Sequence, residues 1–277
     1  MSATPDSTRA IESLLAFWAD GGVDAMLLDT PVDRIAAGRA LPPRPVVATA
    51  VVSPNPVRRR PTAIDPDMTV AVAAARALAA DAGTLEALAE AIAGFEGCPL
   101  RFEGAATQAV VYRGEPRAPV LVIGEGPGAD EDRQGQPFVG RSGLLLDRMF
   151  AAAGLTDRVL ITNTVFWRPP GNREPTPAEQ AVCAPFLSRM IAIVRPRALL
   201  LIGGPSAKSM LKRDEGIMRM RGRWAEWRSE DGEQVVPALP ALHPAFLLRN
   251  PIAKRDAWAD MLTLATALDS PSGRVGQ

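Results

Sequence analysis

The feature that most constrains the fold is an apolar run that ends in a glycine-rich turn. Residues 120–123 read VLVI, which is typical of a short strand covered on both faces, as in a parallel sheet. Gly124, Gly126 and Gly128 follow it, with Pro127 stiffening the turn. A ligand at this bare turn meets main-chain N–H groups, which suit a phosphate, a carbonyl oxygen or a developing anion. The turn is therefore a predicted binding site with more than one open interpretation.

Further apolar runs alternate with helical stretches along the chain. They are VLITN (159–163), ALLLIGG (198–204) and VVPALP (235–240). Strands alternating with helices predict a three-layer αβα fold with a central four-stranded, mainly parallel sheet. Ligands of such sheets bind beyond the carboxyl ends of the strands, where the glycine turn lies.

The chain divides into four segments by composition. We predict a small helical N-terminal extension, a proline-rich linker, one α/β domain and a flexible tail, at residues 1–40, 41–67, 68–270 and 271–277. The domain is expected to open with a helix over about 68–82 and a second helix capped by Thr84.

Composition limits the cellular setting. No apolar run approaches the roughly 20 residues of a membrane span, and the N-terminus lacks the features of a signal peptide. The 2 cysteines are too few for a disulfide framework. These features predict a cytoplasmic protein with no membrane partner.

The formal net charge is zero, but the charge is unevenly distributed. Residues 195–255 contain 12 Lys or Arg and 6 Asp or Glu, a net charge of +6 that the rest of the chain balances. A basic segment of this kind suits contacts with a phosphate backbone, and an ordinary solvated face is the alternative.

A nucleotide-cofactor protein of Rossmann type is one interpretation of the glycine turn. The spacing here is G-x-G-x-G instead of G-x-G-x-x-G. Asp130, Glu131 and Asp132 follow directly and would crowd a pyrophosphate. This interpretation is therefore the less favoured one.

Four motifs in one order favour another interpretation. They are GEGPGADED (124–132), GQPFVGRSG (135–143), ITNTVFWRPPGNR (161–173) and LHPAFLLRNP (242–251). Together the motifs resemble those of the family 4 uracil-DNA glycosylases, over about residues 84–268. The resemblance implies a base-excision repair hydrolase that removes uracil from DNA and leaves an abasic site, and we expect a monomer. No lysine lies in the motifs to form a Schiff base, so a monofunctional enzyme is expected. A catalytically weak DNA-binding scaffold of the same fold is the non-enzymatic alternative.

Three side chains are candidates for holding an everted base, together with the backbone of Gly124 and Gly126. Phe138 is placed to stack on a planar base, or else it anchors its loop. The amide of Asn163 can pair with O4 and N3–H of uracil, or else it caps a turn. The resemblance implies that His243, the only histidine, donates a hydrogen bond to O2 of the leaving base; a structural role is the alternative.

Two carboxylates are candidates for positioning the attacking water or stabilising the sugar cation. The resemblance implies a site position for both Glu131 and Glu125, and we rank Glu131 first. Asp130 and Asp132 are expected to be solvated or to cap the next helix.

The segment after His243 is predicted to be a loop that enters the minor groove, because prolines flank it. Phe246, Leu247 and Leu248 would form its apolar wedge, with a core role as the alternative, and Arg249 would supply a cation. Three residues of the RPPGNR motif can contact phosphates or cap their loop: Arg168, Asn172 and Arg173.

The resemblance also implies a 4Fe-4S cluster, on which this chain departs from the family. Family 4 enzymes hold the cluster with four cysteines, and this chain keeps Cys98 and Cys183 at two of those positions. Phe95 and Trp167 stand at the other two. Because a cubane cluster needs four ligands, we predict no cluster and no cofactor, with a packed apolar plug instead.

Overall fold

The structure is a computed structural model, which describes residues 66–103 and 106–270. The predicted N-terminal extension, nearly all of the linker and the tail lie outside the described residues. Within them the helices are α1 (Pro66–Asp81), α2 (Leu85–Gly94), α3 (Ala129–Gln134), α4 (Arg141–Ala152), α5 (Pro177–Val194), α6 (Gly204–Leu211), α7 (Ile217–Met220), α8 (Pro244–Arg249) and α9 (Lys254–Asp269). The strands are β1 (Arg113–Gly114), β2 (Val120–Gly124), β3 (Val159–Asn163), β4 (Ala198–Ile202), β5 (Ala225–Arg228) and β6 (Val235–Ala241). No described helix combines the length and apolarity needed to cross a bilayer.

The two helices expected at the start of the domain are present. Helix α2 begins after Thr84, whose hydroxyl accepts a hydrogen bond from the N–H of Ala87 at 3.2 Å. This hydrogen bond confirms the predicted N-cap. A cap of this kind satisfies one of the free N–H groups of the first turn.

The sheet has the order β1-β3-β2-β4-β6-β5. Its four inner strands are the predicted ones and run parallel, which confirms the α/β fold. The predicted number of four strands is too low, because β1 and β5 add antiparallel edges. These two strands have only 2 and 4 residues, too few for a periodic pattern to reveal them.

Strand β2 lies in the middle of the sheet and is covered on both faces. Leu121 and Ile123 pack in a core that includes side chains of α1, α2 and α5. Val120 and Val122 point to the opposite core, which includes side chains of α4 and α9. This two-sided burial explains why the strand is apolar throughout instead of alternating.

The carboxyl ends of the inner strands bring the candidate residues to one edge of the sheet. Gly124 and Asn163 occupy the same register position on the neighbouring strands β2 and β3. His243 follows β6 by two residues. Strand β4 ends two residues earlier than predicted, because Gly203 turns the chain into α6 with a φ of 93°.

Candidate active site

A cavity of about 580 Å³ opens at this edge of the sheet. Most of the predicted site residues line it, together with neighbours from the same segments. The lining residues are Glu125, Gly126, Pro127, Gly128, Glu131, Phe138, Ser142, Pro169, Asn172, Arg173, Glu174, Pro175, His243, Ala245, Phe246 and Arg249. Its volume is typical of a pocket for a small ligand.

Gly124 and Asn163 do not line this cavity, but both lie close to the ring of Phe138, which does. A Cβ atom added to Gly124 would lie 2.4 Å from Asn163 Oδ1 and 2.5 Å from Phe138 Cε2. The bare Cα therefore lets the amide oxygen and the aromatic ring pack where a side chain would otherwise lie. The glycine turn brings the backbone close to its neighbours, as its sequence predicts.

The side-chain oxygen of Asn163 is a buried hydrogen-bond acceptor that no described residue pairs with. The residue is 1% exposed, and its Oδ1 accepts no hydrogen bond from any described residue. The backbone N–H of the following residue, Thr164, does not donate to this oxygen, because it donates to the carbonyl of Gly124 at 2.9 Å. Because a buried acceptor without a partner is costly, this oxygen is one that a ligand N–H can satisfy.

Phe138 forms one wall of the cavity and packs near His243. The two ring centroids lie 5.5 Å apart at an interplanar angle of 33°. The side chain of Phe138 is 6% exposed, and its backbone φ is 56°. A non-glycine residue in the left-handed region is uncommon and often marks a functional position.

His243 is the N-cap of α8, and this contact sets its tautomer. Its Nδ1 accepts a hydrogen bond from the N–H of Ala245 at 3.1 Å, so in the neutral ring the proton is on Nε2. Burial, followed by the charge of Arg249, lowers the pKa of His243 to about 4, against the opposing effect of Glu131. Near neutral pH the side chain is therefore a neutral donor.

The two candidate carboxylates have different surroundings. The carboxylate of Glu131 accepts hydrogen bonds from the N–H groups of Gly128, Val139 and Gly140, at 3.1, 3.1 and 2.9 Å. Both of its oxygens are therefore engaged with the backbone. Glu125 also lines the cavity, and burial followed by the charge of Glu174 raises its pKa to about 7.

The expectation for Asp132 was wrong. It is 3% exposed, and its carboxylate accepts hydrogen bonds from the N–H and hydroxyl of Thr107, each at 2.8 Å. These contacts hold a segment distant in sequence against α3, which local sequence patterns do not reveal. Asp130 is half-buried and forms an ion pair with Arg133.

The expected loop after His243 was also wrong, since the segment forms α8. His243 provides the cap and Pro244 the first helical residue, a position where proline favours a helix. Within α8, Leu247 is fully buried in a small core, which excludes it from the predicted wedge. Phe246 lines the cavity, and the side chain of Leu248 is 40% exposed.

The arginines of the predicted DNA-binding set differ in their contacts. Arg249 is exposed at the end of α8, on the cavity wall. Arg168 donates to Asn172 Oδ1 at 2.7 Å. Arg173 binds both carboxylate oxygens of Glu179 on α5, at 2.9 and 2.6 Å, and also lines the cavity.

Comparison with known proteins agrees with this geometry. A profile of the uracil DNA glycosylase superfamily matches residues 111–262, more than half of the chain. The chain belongs to the uracil-DNA glycosylase superfamily. The predicted resemblance is confirmed, and the nucleotide-cofactor alternative is not favoured.

Several similar proteins bear the name Type-4 uracil-DNA glycosylase. The one from Thermotoga maritima is 36% identical over 168 residues, which cover 60% of this chain and 84% of that protein. The one from Sulfurisphaera tokodaii is 40% identical over 151 residues, covering 52% and 68%. The one from Pyrobaculum aerophilum is 36% identical over 182 residues, covering 64% and 91%.

The residues at the four family cluster positions do not fit a 4Fe-4S cluster in this superfamily member. Cys98 and Cys183 are buried free thiols, and the hydrogen bond from Cys183 lowers the pKa of Cys98. Phe95 and Trp167 are 4% and 2% exposed and share the same apolar core. The ring of Phe95 packs edge-on against the ring of Phe186, with the two ring centroids 5.2 Å apart. The two thiols supply half of the ligands that a cubane cluster needs, and the two packed aromatic rings supply none.

Sequence reasoning missed several residues that shape the glycosylase-like cavity. Glu174, Pro169 and Pro175 line it from the RPPGNREP segment, and Ser142 lines it from α4. Their positions were the only signal: Pro169 and Ser142 lie inside recognised motifs, and Glu174 and Pro175 directly follow one. Arg113 gave no signal, because it lies on the edge strand β1, outside every motif.

Proposed function

We propose that this protein hydrolyses the N-glycosidic bond of uracil in DNA and leaves an abasic site. It would act as a monofunctional glycosylase on a nucleotide turned out of the helix. We further propose that it works as a cytoplasmic monomer. The observation that supports the proposal most directly is the unpaired Oδ1 of Asn163 beside the ring of Phe138.

The Asn163 amide would select the base by its hydrogen-bond pattern. Its Oδ1 accepts from N3–H of uracil, and its Nδ2 donates to O4. Cytosine has an acceptor at N3 and a donor at position 4, so both contacts would be mismatched. A mismatched buried polar group costs more than a missing neutral contact, which gives discrimination.

Phe138 would provide the stacking surface for the same base. Its ring packs close to Gly124, next to the Asn163 amide, and lines the cavity. Stacking of a base on an aromatic side chain contributes about 1 to 3 kcal/mol and is available to every base. Phe138 therefore supplies affinity in this proposal, and Asn163 supplies selectivity.

His243 would stabilise the departing base. As the glycosidic bond breaks, negative charge develops on the uracil, and the Nε2–H of a neutral imidazole can donate to its O2. The donor is fixed in advance, because Nδ1 is occupied by the N–H of Ala245. Donors arranged before the reaction stabilise developing charge without reorganising.

Glu125 is our candidate for positioning water or stabilising the sugar cation. Both Glu125 and Glu131 line the cavity, but both oxygens of Glu131, which the sequence ranked first, are engaged by backbone N–H groups. A carboxylate with a pKa of about 7 ionises where such an enzyme would work. Glu131 keeps a role in shaping the cavity.

Contacts with the rest of the DNA would come mainly from α8. Arg249 is exposed beside the cavity, and Leu248 and Phe246 offer apolar surface next to it. We propose that these residues fill the gap left by the everted base and bind the phosphate backbone, with Arg168 as a further cation.

The proposed enzyme works without an iron–sulfur cluster. Phe95 and Trp167 would replace two ligands by apolar burial, which holds α2 against the segment after β3. Iron and sulfide analysis of protein purified without oxygen tests this part. A content of about four iron atoms per chain would overturn it.

The main test is release of uracil from a labelled duplex that contains a single uracil. We expect cleavage at the resulting abasic site for the wild type, and none for matched duplexes with cytosine or thymine. Asn163→Ala and His243→Ala should lose most of the rate, whereas Gln180→Ala on α5 should not. A wild type that binds this DNA without releasing uracil would instead identify the catalytically weak scaffold.

A further inference from the structure

We propose that Arg113 is a positioning residue that holds Phe138 in its base-stacking orientation. The inference deepens the proposed function, since it concerns the same cavity. Arg113 does not line the cavity and lies on the edge strand β1. It would act only through the loop that carries Phe138.

The guanidinium of Arg113 makes two hydrogen bonds at the start of that loop and a third to the neighbouring helix α4. Its Nε donates to the carbonyl of Pro137 at 2.6 Å, and its Nη2 donates to the carbonyl of Phe138 at 2.9 Å. The same Nη2 donates to Asp147 Oδ1 on α4 at 2.7 Å. The planar fork of an arginine can serve several acceptors at fixed angles, which a lysine cannot do.

The backbone of Phe138 needs such support. Its φ of 56° lies in the left-handed region, which a bulky side chain adopts only when the surroundings hold it there. Carbonyl contacts on both sides of its Cα restrict this conformation directly. Without them the residue can relax to an extended conformation, which would turn the ring out of the cavity.

A second group holds the same loop by its N–H groups. Glu131 Oε1 accepts from Val139 and Gly140, and its Oε2 accepts from Gly128 in the glycine turn. Helix α4 also approaches closely, since a Cβ atom on Gly143 would lie 1.7 Å from the carbonyl oxygen of Phe138. A cation on the carbonyls and an anion on the amides thus hold the loop from opposite sides.

Arg113 also connects two of the groups that would contact the base, Phe138 and Asn163. Strand β1 pairs with β3, with Arg113 opposite Ile161, two residues before Asn163. The arginine therefore ties the Phe138 loop to the strand that carries the selecting amide. The distance between stacking ring and amide depends on this connection.

Single-turnover excision by a set of variants tests the proposal. Arg113→Gln should lower the rate roughly 10- to 100-fold, as expected when a residue that positions the substrate is slightly displaced. Arg113→Lys should be impaired too, because it cannot serve the two carbonyls and Asp147 together. Arg113→Gln should cost little further rate in a Phe138→Ala background, since it acts through Phe138.

The matched control is Arg158→Gln, which removes another arginine that pairs with a carboxylate, that of Asp269, outside the cavity. It should leave the rate unchanged. A full-rate Arg113→Gln variant, or a double variant with additive losses, would overturn the proposal. If Arg113→Gln does not fold, the Asp147→Asn variant decides by the same comparison, with a smaller expected loss.

A readout that does not depend on activity separates this inference from the proposed function. His243 is the only histidine, and its ring lies 5.5 Å from that of Phe138, so its ring-proton NMR signals report the orientation of Phe138. In Arg113→Gln these signals should move toward their positions in Phe138→Ala, and in Arg158→Gln they should not. Unmoved signals refute the positioning role even if the wild type proves inactive on uracil.

Discussion

Gly124 and Asn163 face each other at one register position of adjacent parallel strands, with no room for a side chain between them. A Cβ atom at Gly124 would lie 2.4 Å from Asn163 Oδ1 and 2.5 Å from Phe138 Cε2. The space that this glycine leaves open is filled by the amide oxygen and the aromatic ring, the two groups that we propose hold the base. Its bare Cα is therefore a requirement of the site as well as of the turn.

Gly124→Ala should abolish most uracil excision while the protein stays folded. The added methyl group must displace either the amide or the aromatic ring, and such displacements cost roughly 100-fold in rate. Overpacking should also lower the stability by about 1 to 3 kcal/mol. Single-turnover excision and urea unfolding measure both effects. Gly83→Ala is the control, because a Cβ atom there has no neighbour within 4 Å, and it should change neither.

His243→Asn should separate the helix cap from the catalytic donor. Asparagine is a good N-cap and can accept from the N–H of Ala245, but it is too short to replace Nε2–H in the cavity. We expect an unchanged melting temperature and a rate lowered roughly 100- to 1000-fold, as for loss of one preorganised donor. Thermal unfolding and single-turnover excision provide the two measurements.

The wild-type His243 can be observed directly, since no other histidine contributes to the spectrum. Its nitrogen NMR signals should show a proton on Nε2 and none on Nδ1 from neutral pH down to pH 5. This follows because its pKa is lowered to about 4. A proton on Nδ1, or titration near pH 6.5, would contradict the proposed donor.

The rate of excision should rise with pH through about 7. Glu125 must be ionised to position water, and its pKa is raised to about 7 by burial and then by Glu174. Glu174→Gln removes the second cause, so the midpoint of the rise in kcat/KM should move to lower pH. Glu103→Gln, at another exposed carboxylate, should leave the midpoint in place. The proposal for Glu125 fails if Glu174→Gln has no effect.

The raised pKa of Glu125 also affects the stability, in the opposite direction to the rate: as the pH rises, the folded protein becomes less stable. Because its folded pKa lies above its unfolded value of 4.5, ionisation favours the unfolded chain as the pH rises from about 4.5 to about 7. Glu125→Gln should therefore raise the melting temperature at pH 8, by a few degrees, and leave it unchanged at pH 4. Equal effects at both values of pH would show that the carboxylate is not buried as described.

The inner sheet could be predicted because each of its strands is a local pattern. The apolar run before Gly124 is buried on both faces, and such runs are visible without knowing their partners. The N-cap at Thr84 was likewise visible, since a cap depends on neighbours in sequence. The convergence of Gly124 and Asn163 on one edge followed from the parallel arrangement alone.

The missed features depend on contacts between distant segments. From its sequence position, Asp132 looked like a helix-terminal charge, but its carboxylate accepts hydrogen bonds from Thr107, which lies 25 residues away. Arg113 lies 24 residues from its acceptor Pro137. Leu247 looked exposed because two prolines flank its segment, although one of them starts a helix. Residue types and spacing do not encode such pairings.

Trp167→Ala should be among the most destabilising single changes in the described part of the chain. The side chain is 2% exposed and packs edge-on against Phe166, in the core that would have to accommodate a cluster. Removing a large buried aromatic costs about 3 to 5 kcal/mol, because the cavity it leaves is only partly refilled. Urea unfolding measures this loss.

Phe102→Ala, whose side chain is 63% exposed, is the control and should change the stability by about 0.5 kcal/mol or less. Both variants and the wild type should contain no iron when purified without oxygen. A small loss for Trp167→Ala would contradict the idea that aromatic burial replaces the cluster.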